Sequence, residues 1–125
     1  MQKIFTNLSR WIPALAIMTA IFLFSSQPSK DLPHFGSTDY FIKKTGHAVG
    51  YALLALAYQY ALGKQSPPWR AWLFAVLFSA TDEYHQSFVP GRHPSIWDVV
   101  IFDNCGALFA LILWKRKGQP SSSHD

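Results

Sequence analysis

Charged residues are scarce in this chain of 125 residues, since only 14% are Asp, Glu, Lys or Arg. A typical soluble domain carries about 25% charged residues, and a small domain has a large surface for its volume. The chain lacks the charges that such a surface requires, which disfavours a freely soluble protein. Hydrophobic residues make up 50% of the sequence, which excludes an intrinsically disordered chain. The length is that of one domain.

Cysteine is nearly absent as well. The one cysteine, Cys105, has no partner for an internal disulfide, which excludes a disulfide-stabilised scaffold. The formal net charge is +4, but the basic residues form only small clusters at segment ends. Because no basic stripe is interleaved with aromatic residues, we expect no nucleic-acid partner.

Uninterrupted apolar runs of full membrane-spanning length are also lacking. A helix needs roughly 20 residues to cross the hydrocarbon layer, and four shorter apolar stretches reach this length only with polar residues at one end. They predict helices over residues 8–27, 42–62, 68–87 and 96–114. We therefore expect an all-α fold, a small membrane-embedded bundle of about four transmembrane helices. Residues 1–117 would form this single domain, and residues 118–125 a disordered tail.

The first apolar stretch has an alternative interpretation as a cleaved signal peptide, with Lys3 and Arg10 as its positive region. No A-x-A pattern follows Phe24, and the stretch ends in polar residues, so we expect it to be retained. With four crossings, seven Lys and Arg residues lie on the side of both termini and four on the other. This asymmetry favours a multi-pass protein with both termini in the cytoplasm.

Polar residues gather at one end of each predicted helix, and antiparallel threading brings these ends to the outer leaflet. They are Ser25, Ser26 and Gln27, then Lys43, Lys44, His47 and Tyr51, then Asp82, Glu83, His85 and Gln86, then Arg92 in a loop, and finally Asp98, Asp103 and Asn104. Ionisable groups within a membrane span are costly, face the bundle interior and usually have a partner. We expect Lys44 and Arg92 to pair with the acidic residues, and Arg92 to share one cluster with Glu83.

A second pattern concerns helix packing. Asp103, Gly106 and Ala110 recur at helical spacing on one side of the fourth predicted helix. Small residues let a neighbouring helix approach closely. The pattern predicts that this side faces another helix.

Several of these residues form motifs that resemble the VanZ-like family over Phe22 to Ala110. The motifs are Ser25-Ser26-Gln27-Pro28, Lys44-x-x-His47-x-x-x-Tyr51, Asp82-Glu83-x-x-Gln86-x-x-x-Pro90-Gly91-Arg92, Asp98, and Asp103-Asn104-x-Gly106. The resemblance implies a small bacterial integral membrane protein of about four helices. The family is named for glycopeptide-antibiotic resistance and associated with tolerance of teicoplanin, and it brings no settled biochemical activity. Ala110 departs from the pattern, where a second glycine of a G-x-x-x-G pair is expected.

The leading hypothesis is a binding site for the anionic headgroup of a membrane lipid or a lipid-linked cell-envelope precursor. Lys44 and Arg92 would contact the anion, and Arg92 offers a bidentate fork for it. The remaining binding residues would hold these cations or supply hydrogen bonds. They are His47, Tyr51, Asp82, Glu83, Gln86, Asp98, Asn104, Ser26 and Gln27. This hypothesis requires no cofactor or metal.

Two alternatives stay open. The first is a membrane-embedded hydrolase or transferase acting on a lipid-linked substrate, either by acid–base catalysis or with a metal-bound water. Candidate catalytic residues are Glu83, His47 and Asp82, and the candidate metal ligands are Asp82, His85, Asp98 and His47. The second is a structural subunit of a membrane assembly, in which the charges are helix-packing pairs.

Overall fold

The fold is known from a computed structural model that describes residues 7–118. In this part of the chain all regular structure is helical and no strand occurs. The four main helices are α1 (Ile12–Ser25), α2 (Asp39–Leu62), α3 (Pro68–Gln86) and α4 (Asn104–Lys117). The prediction of an all-α fold with four helices is confirmed. Lys3 and almost all of the predicted tail, residues 119–125, lie outside the described residues.

The helix ends differ from the predicted ones for local reasons. α1 ends at Ser25 rather than at residue 27, because Pro28 disfavours the helical conformation in the residue before it. α2 begins at Asp39 rather than at residue 42. The carboxylate of Asp39 is favourable at a helix N-terminus, and it pairs with Lys43 one turn later at 2.7 Å.

A π-helical segment, Asp98–Asp103, precedes α4, where the sequence predicted an ordinary helix from residue 96. Two residues five positions apart point about 140° away from each other in an α-helix. The i→i+5 bonding of a π-helix places them on nearly the same side. Asp98 and Asp103 are accordingly only 7% and 2% exposed. The segment turns both carboxylates toward the bundle interior.

α2 is the central helix and packs against α1, α3 and α4. Its approach to α4 is close, because a Cβ atom built on Gly106 would overlap the backbone carbonyl of Ala48. Asp103 and Ala110, on the same side of the fourth helix, are buried. The prediction that this small-residue side faces another helix is confirmed.

Large apolar side chains cover much of the outside of the bundle, while small apolar and polar side chains fill the inside. Phe24 and Phe109 are 68% and 65% exposed. The interior is built largely from small apolar side chains, among them Ala55, Ala71 and Ala107. By length and composition, one helical stretch of the described chain, Asn7–Ser25, is apolar enough to cross a membrane.

Candidate functional site

Polar side chains from α1, α2, α3 and the π segment meet at one end of the bundle, where α1 and α3 end and where the π segment begins. We call this group the polar cluster. It comprises Ser25, Lys44, His47, Tyr51, Ser79, Asp82, Glu83, Gln86, Asp98 and Asp103. Most of these side chains are buried. The cluster therefore places ionisable groups in the interior of a bundle whose exterior is apolar.

Asp82 joins three helices within the cluster. Its Oδ2 atom accepts hydrogen bonds from Ser25 Oγ of α1 at 2.7 Å and from Gln86 Nε2 of α3 at 3.0 Å. The hydroxyl of Tyr51 on α2 lies 3.4 Å from the same oxygen. The other oxygen, Oδ1, is buried without a hydrogen-bond partner among the described residues. Oδ2 thus accepts all the hydrogen bonds that Asp82 receives within the cluster, and Oδ1 can accept a further one.

Lys44 of α2 forms an ion pair with Asp98 at the start of the π segment. The side chains are 19% and 10% exposed, so the pair lies at the rim of the cluster. The ammonium also lies 5.5 Å from the ring centre of Tyr40 and 5.8 Å from that of Phe102. Lys44 thus pairs with an acidic residue, as the sequence indicated, and its partner is Asp98.

His47, Glu83 and Asp103 bring one imidazole and two carboxylates together from α2, α3 and the π segment. Potential ligand atoms of the three side chains all lie within 4.8 Å of one another. Asp103 Oδ1 is 3.4 Å from His47 Nδ1, while Asp103 Oδ2 accepts a hydrogen bond from Ser79 Oγ at 2.5 Å. Glu83 Oε2 accepts one from the backbone N–H of Ser95 at 2.9 Å. Such a group can hold a cation or transfer protons.

Arg92 lies beside the cluster and contacts the end of α1. Its Nε and Nη2 atoms donate hydrogen bonds to the backbone carbonyls of Gln27 at 3.1 Å and Phe24 at 2.8 Å. Among the described residues it forms no ion pair with a carboxylate, including Glu83, because two of its nitrogens are directed at these carbonyls. Partial burial lowers the pKa of the guanidinium, and the nearby charges of Asp82 and Glu83 oppose this lowering.

Four further residues predicted for the site lie outside the polar cluster: Ser26, Gln27, His85 and Asn104. His85 Nε2 is 3.0 Å from Ser26 Oγ, away from His47, so the four metal ligands suggested by the sequence do not form one group. The side chain of Gln27 is exposed, and only its carbonyl takes part in a contact. Asn104 directly follows Asp103, but its Oδ1 accepts a 2.6 Å hydrogen bond from Trp72 Nε1, and among the described residues its side chain forms no hydrogen bond with an acidic residue of the cluster.

Two polar groups that hold the acidic residues in place were not predicted from the sequence, the hydroxyl of Ser79 and the backbone N–H of Ser95. Ser25, which contacts Asp82, was predicted to lie at this end as part of the Ser25-Ser26-Gln27-Pro28 motif. Ser79 precedes Glu83 by four residues and therefore shares its helix face. A small hydroxyl side chain within an apolar helical run was the available indication for Ser79. The contact of Ser95 depends on loop geometry, for which the sequence gives no pattern.

A groove of about 260 Å³ opens on the side of the bundle next to the cluster. Glu83 is the one charged residue in its lining. The other lining residues are mostly apolar or small: Ala80, Tyr84, Ser87, Pro94, Ser95, Ile96 and Val99. A larger apolar groove of about 560 Å³ lies toward the opposite ends of α3 and α4 and does not contact the cluster.

The fold and this site define a small helical bundle with a buried acidic cluster at one end and an apolar exterior. Residues 9–118 match the model of the VanZ/LLP1 family. The chain therefore belongs to the VanZ-like family, and the resemblance drawn from its motifs is confirmed. No curated protein and no solved structure matches the chain.

Proposed function

We propose that this VanZ-like protein is a multi-pass membrane protein that binds the anionic headgroup of a lipid, or of a lipid-linked cell-envelope precursor, at the rim of the polar cluster. The observation that carries the proposal is that polar and apolar side chains are distributed in the opposite way to those of a soluble protein. Carboxylates lie inside the bundle, and large apolar side chains lie outside. A soluble protein of this size exposes few contiguous large apolar surfaces, whereas a lipid environment favours them.

The lengths of α2 and α3 fit this proposal. α2 has 24 residues, which corresponds to about 36 Å at 1.5 Å per residue, against about 30 Å of hydrocarbon. α3 has 19 residues and reaches about 28 Å by the same rise. Inward polar residues lower the mean hydropathy of these helices, because they pair inside the bundle rather than face lipid.

The topology has a direct test. Four crossings with both termini in the cytoplasm place the connection between α2 and α3 on the cytoplasmic side, in agreement with the Lys and Arg asymmetry. Reporter fusions after Lys64 and after Lys117 should therefore both report a cytoplasmic position. A periplasmic position at either residue would contradict the proposed topology.

The anionic group belongs at the rim because the interior of the cluster is already acidic. Lys44 contacts the cluster and Arg92 lies beside it, and both are partly exposed, whereas the neighbouring carboxylates are buried. A phosphate beside them would gain charge-assisted hydrogen bonds without entering the acidic interior. The side groove lined by Tyr84 and Ile96 would hold an acyl chain next to the cluster, beside Glu83.

Lipid retention tests the binding proposal. The protein is purified in detergent, incubated with phosphatidylglycerol or phosphatidylcholine, and analysed by native mass spectrometry. We expect preferential retention of phosphatidylglycerol, and its loss in Ala80→Phe, which fills the groove. Ala20→Phe, on the exposed side of α1, serves as the matched control and should retain the lipid. Equal retention of both lipids, or by both variants, would contradict the proposal.

A cell-envelope substrate would also connect the site with the teicoplanin tolerance that the family resemblance implies. Expression of the protein in a susceptible bacterial host should raise the teicoplanin concentration that the host tolerates. The Ala80→Phe variant should lose this effect, and Ala20→Phe should keep it. Unchanged tolerance with the wild-type protein would separate this member from the resistance phenotype.

One observation favours a second candidate, a hydrolase or transferase for the same lipid. Glu83 lines the groove and lies within 4.8 Å of His47 and Asp103, so a substrate in the groove would meet a carboxylate next to an imidazole. Turnover of fluorescent phosphatidylglycerol by the purified protein would support this candidate. Glu83→Gln should then abolish turnover while lipid retention persists, whereas a pure binding protein shows no turnover in either form.

A further inference from the structure

Two atoms of the polar cluster are separated by a distance that suits a shared metal ion better than a hydrogen bond. His47 Nδ1 and Asp103 Oδ1 lie 3.4 Å apart, and neither has a hydrogen-bond partner among the described residues. Ligands bind Zn²⁺ at about 2.0–2.2 Å, so two ligands of one tetrahedral ion lie about 3.4 Å apart. A ligand atom of Glu83 lies within 4.8 Å of both.

The unpartnered atoms are buried and held in position. Asp103 is 2% exposed, and its other oxygen is held by Ser79. Glu83 has one oxygen held by the N–H of Ser95, which leaves the other available. A buried polar atom without a partner is destabilising, and a bound ion would remove this cost. Hydrogen bonds to one oxygen of a carboxylate that orient the other are typical around metal ions.

The buried carboxylates of the polar cluster outnumber the lysines that pair with them. Four carboxylates are buried in the polar cluster, and one of them, Asp98, forms an ion pair with Lys44. The four are Asp82, Glu83, Asp98 and Asp103. Buried charges without compensation are strongly destabilising. A divalent ion would offset two of the remaining negative charges.

We infer that His47, Glu83 and Asp103 bind one divalent metal ion of the class that accepts imidazole and carboxylate ligands, such as Zn²⁺ or Mn²⁺. The ligands come from α2, α3 and the π segment, so the ion would hold these three elements together. This ligand set shares only His47 with the one suggested by the sequence. The inference stands independently of the lipid proposal, since it concerns groups inside the cluster.

Metal retention tests this inference. The full chain is purified in detergent, treated with a chelator, incubated with Zn²⁺ or Mn²⁺ alone, and freed of loose metal before elemental analysis. We expect about one ion per chain for at least one metal. His47→Gln and Asp103→Asn should abolish retention, and Ser79→Ala should weaken affinity about 10–100-fold. His85→Gln is the matched control and should retain the ion, because His85 contacts Ser26 instead.

The unfolding temperature of the wild type, measured with increasing metal concentration, tests the inference even if a variant fails to fold. An ion that binds only the folded protein raises the unfolding temperature of the wild type with increasing metal concentration. We expect this rise for the metal that is retained, and none for His47→Gln. A folded wild type that retains neither metal and shows no such rise would overturn the inference. Equal retention by wild type and Asp103→Asn would overturn it as well.

Discussion

Ser25 Oγ donates a 2.7 Å hydrogen bond to Asp82 Oδ2, and this contact ties the end of α1 to the end of α3. Only Ala14 and Ser25 are buried within α1. At the other end of the helix, Arg10 Nη2 donates a 2.7 Å hydrogen bond to the carbonyl oxygen of Tyr60. The helix with the most apolar surface is therefore positioned largely by polar contacts at its two ends, and Arg92 and His85 contact the same end as Asp82.

The first prediction concerns this contact. Ser25→Ala removes one donor from the buried carboxylate of Asp82, and hydrogen bonds to charged groups contribute about 1.5–3 kcal/mol. We expect a loss of about that size in the free energy of unfolding, measured in detergent. Ser87→Ala is the control, because Ser87 is exposed and its hydroxyl contacts the Tyr84 carbonyl of its own helix end. Equal stability of wild type and Ser25→Ala would show that α1 is held by other contacts.

The second prediction concerns the approach of α4 to α2. Gly106→Ala places a Cβ atom against the backbone of Ala48, which cannot move aside as a side chain can. Overpacking typically costs about 1–3 kcal/mol, so we expect a lower unfolding temperature. Gly46→Ala on α2 meets nothing within 4 Å and should be neutral or stabilising by up to about 1 kcal/mol. If both variants unfold alike, the close approach at Gly106 is wrong.

The sequence predicted the four helices because each apolar stretch ends at a clear polar or proline-containing spacer. It also predicted which ends meet, since antiparallel threading of four helices leaves little choice. The sequence did not predict which side chains contact each other at these ends. Arg92 contacts the carbonyls of Phe24 and Gln27 rather than Glu83, and backbone acceptors at a helix end carry no residue-specific pattern. The π segment was equally unpredictable, because it depends on packing of Asp98 and Asp103 against α2 and α3.

The third prediction compares two ion pairs of the same chemistry. Lys44–Asp98 lies at the rim of the cluster, whereas Lys43–Asp39 joins adjacent turns of α2 at the surface. Breaking a fully buried pair costs about 3–5 kcal/mol, and partial exposure reduces this. We expect Lys44→Met and Asp98→Asn each to destabilise by about 1–3 kcal/mol, and the double variant to recover much of the loss.

The surface pair provides the control for this cycle. Lys43→Met and Asp39→Asn should change the unfolding temperature little, because exposed pairs are screened by solvent. If the stability losses of Lys44→Met and Asp98→Asn simply add in the double variant, these two side chains do not compensate each other. Similar coupling in both pairs would show that burial at the rim is unimportant.

The last prediction concerns the π segment, which exists because Asp98 and Asp103 are five residues apart and both face inward. Deleting the exposed Val100 leaves them four apart, so an ordinary α-helix would keep both on one side, about 40° apart. We expect this deletion to be tolerated, with a loss of π geometry. Deleting the exposed Leu108 from the regular part of α4 is the matched control, because it rotates the buried Ala110 by about 100°. Unfolding temperatures in detergent should therefore be clearly lower for the second deletion, and the opposite order would refute this account of the segment.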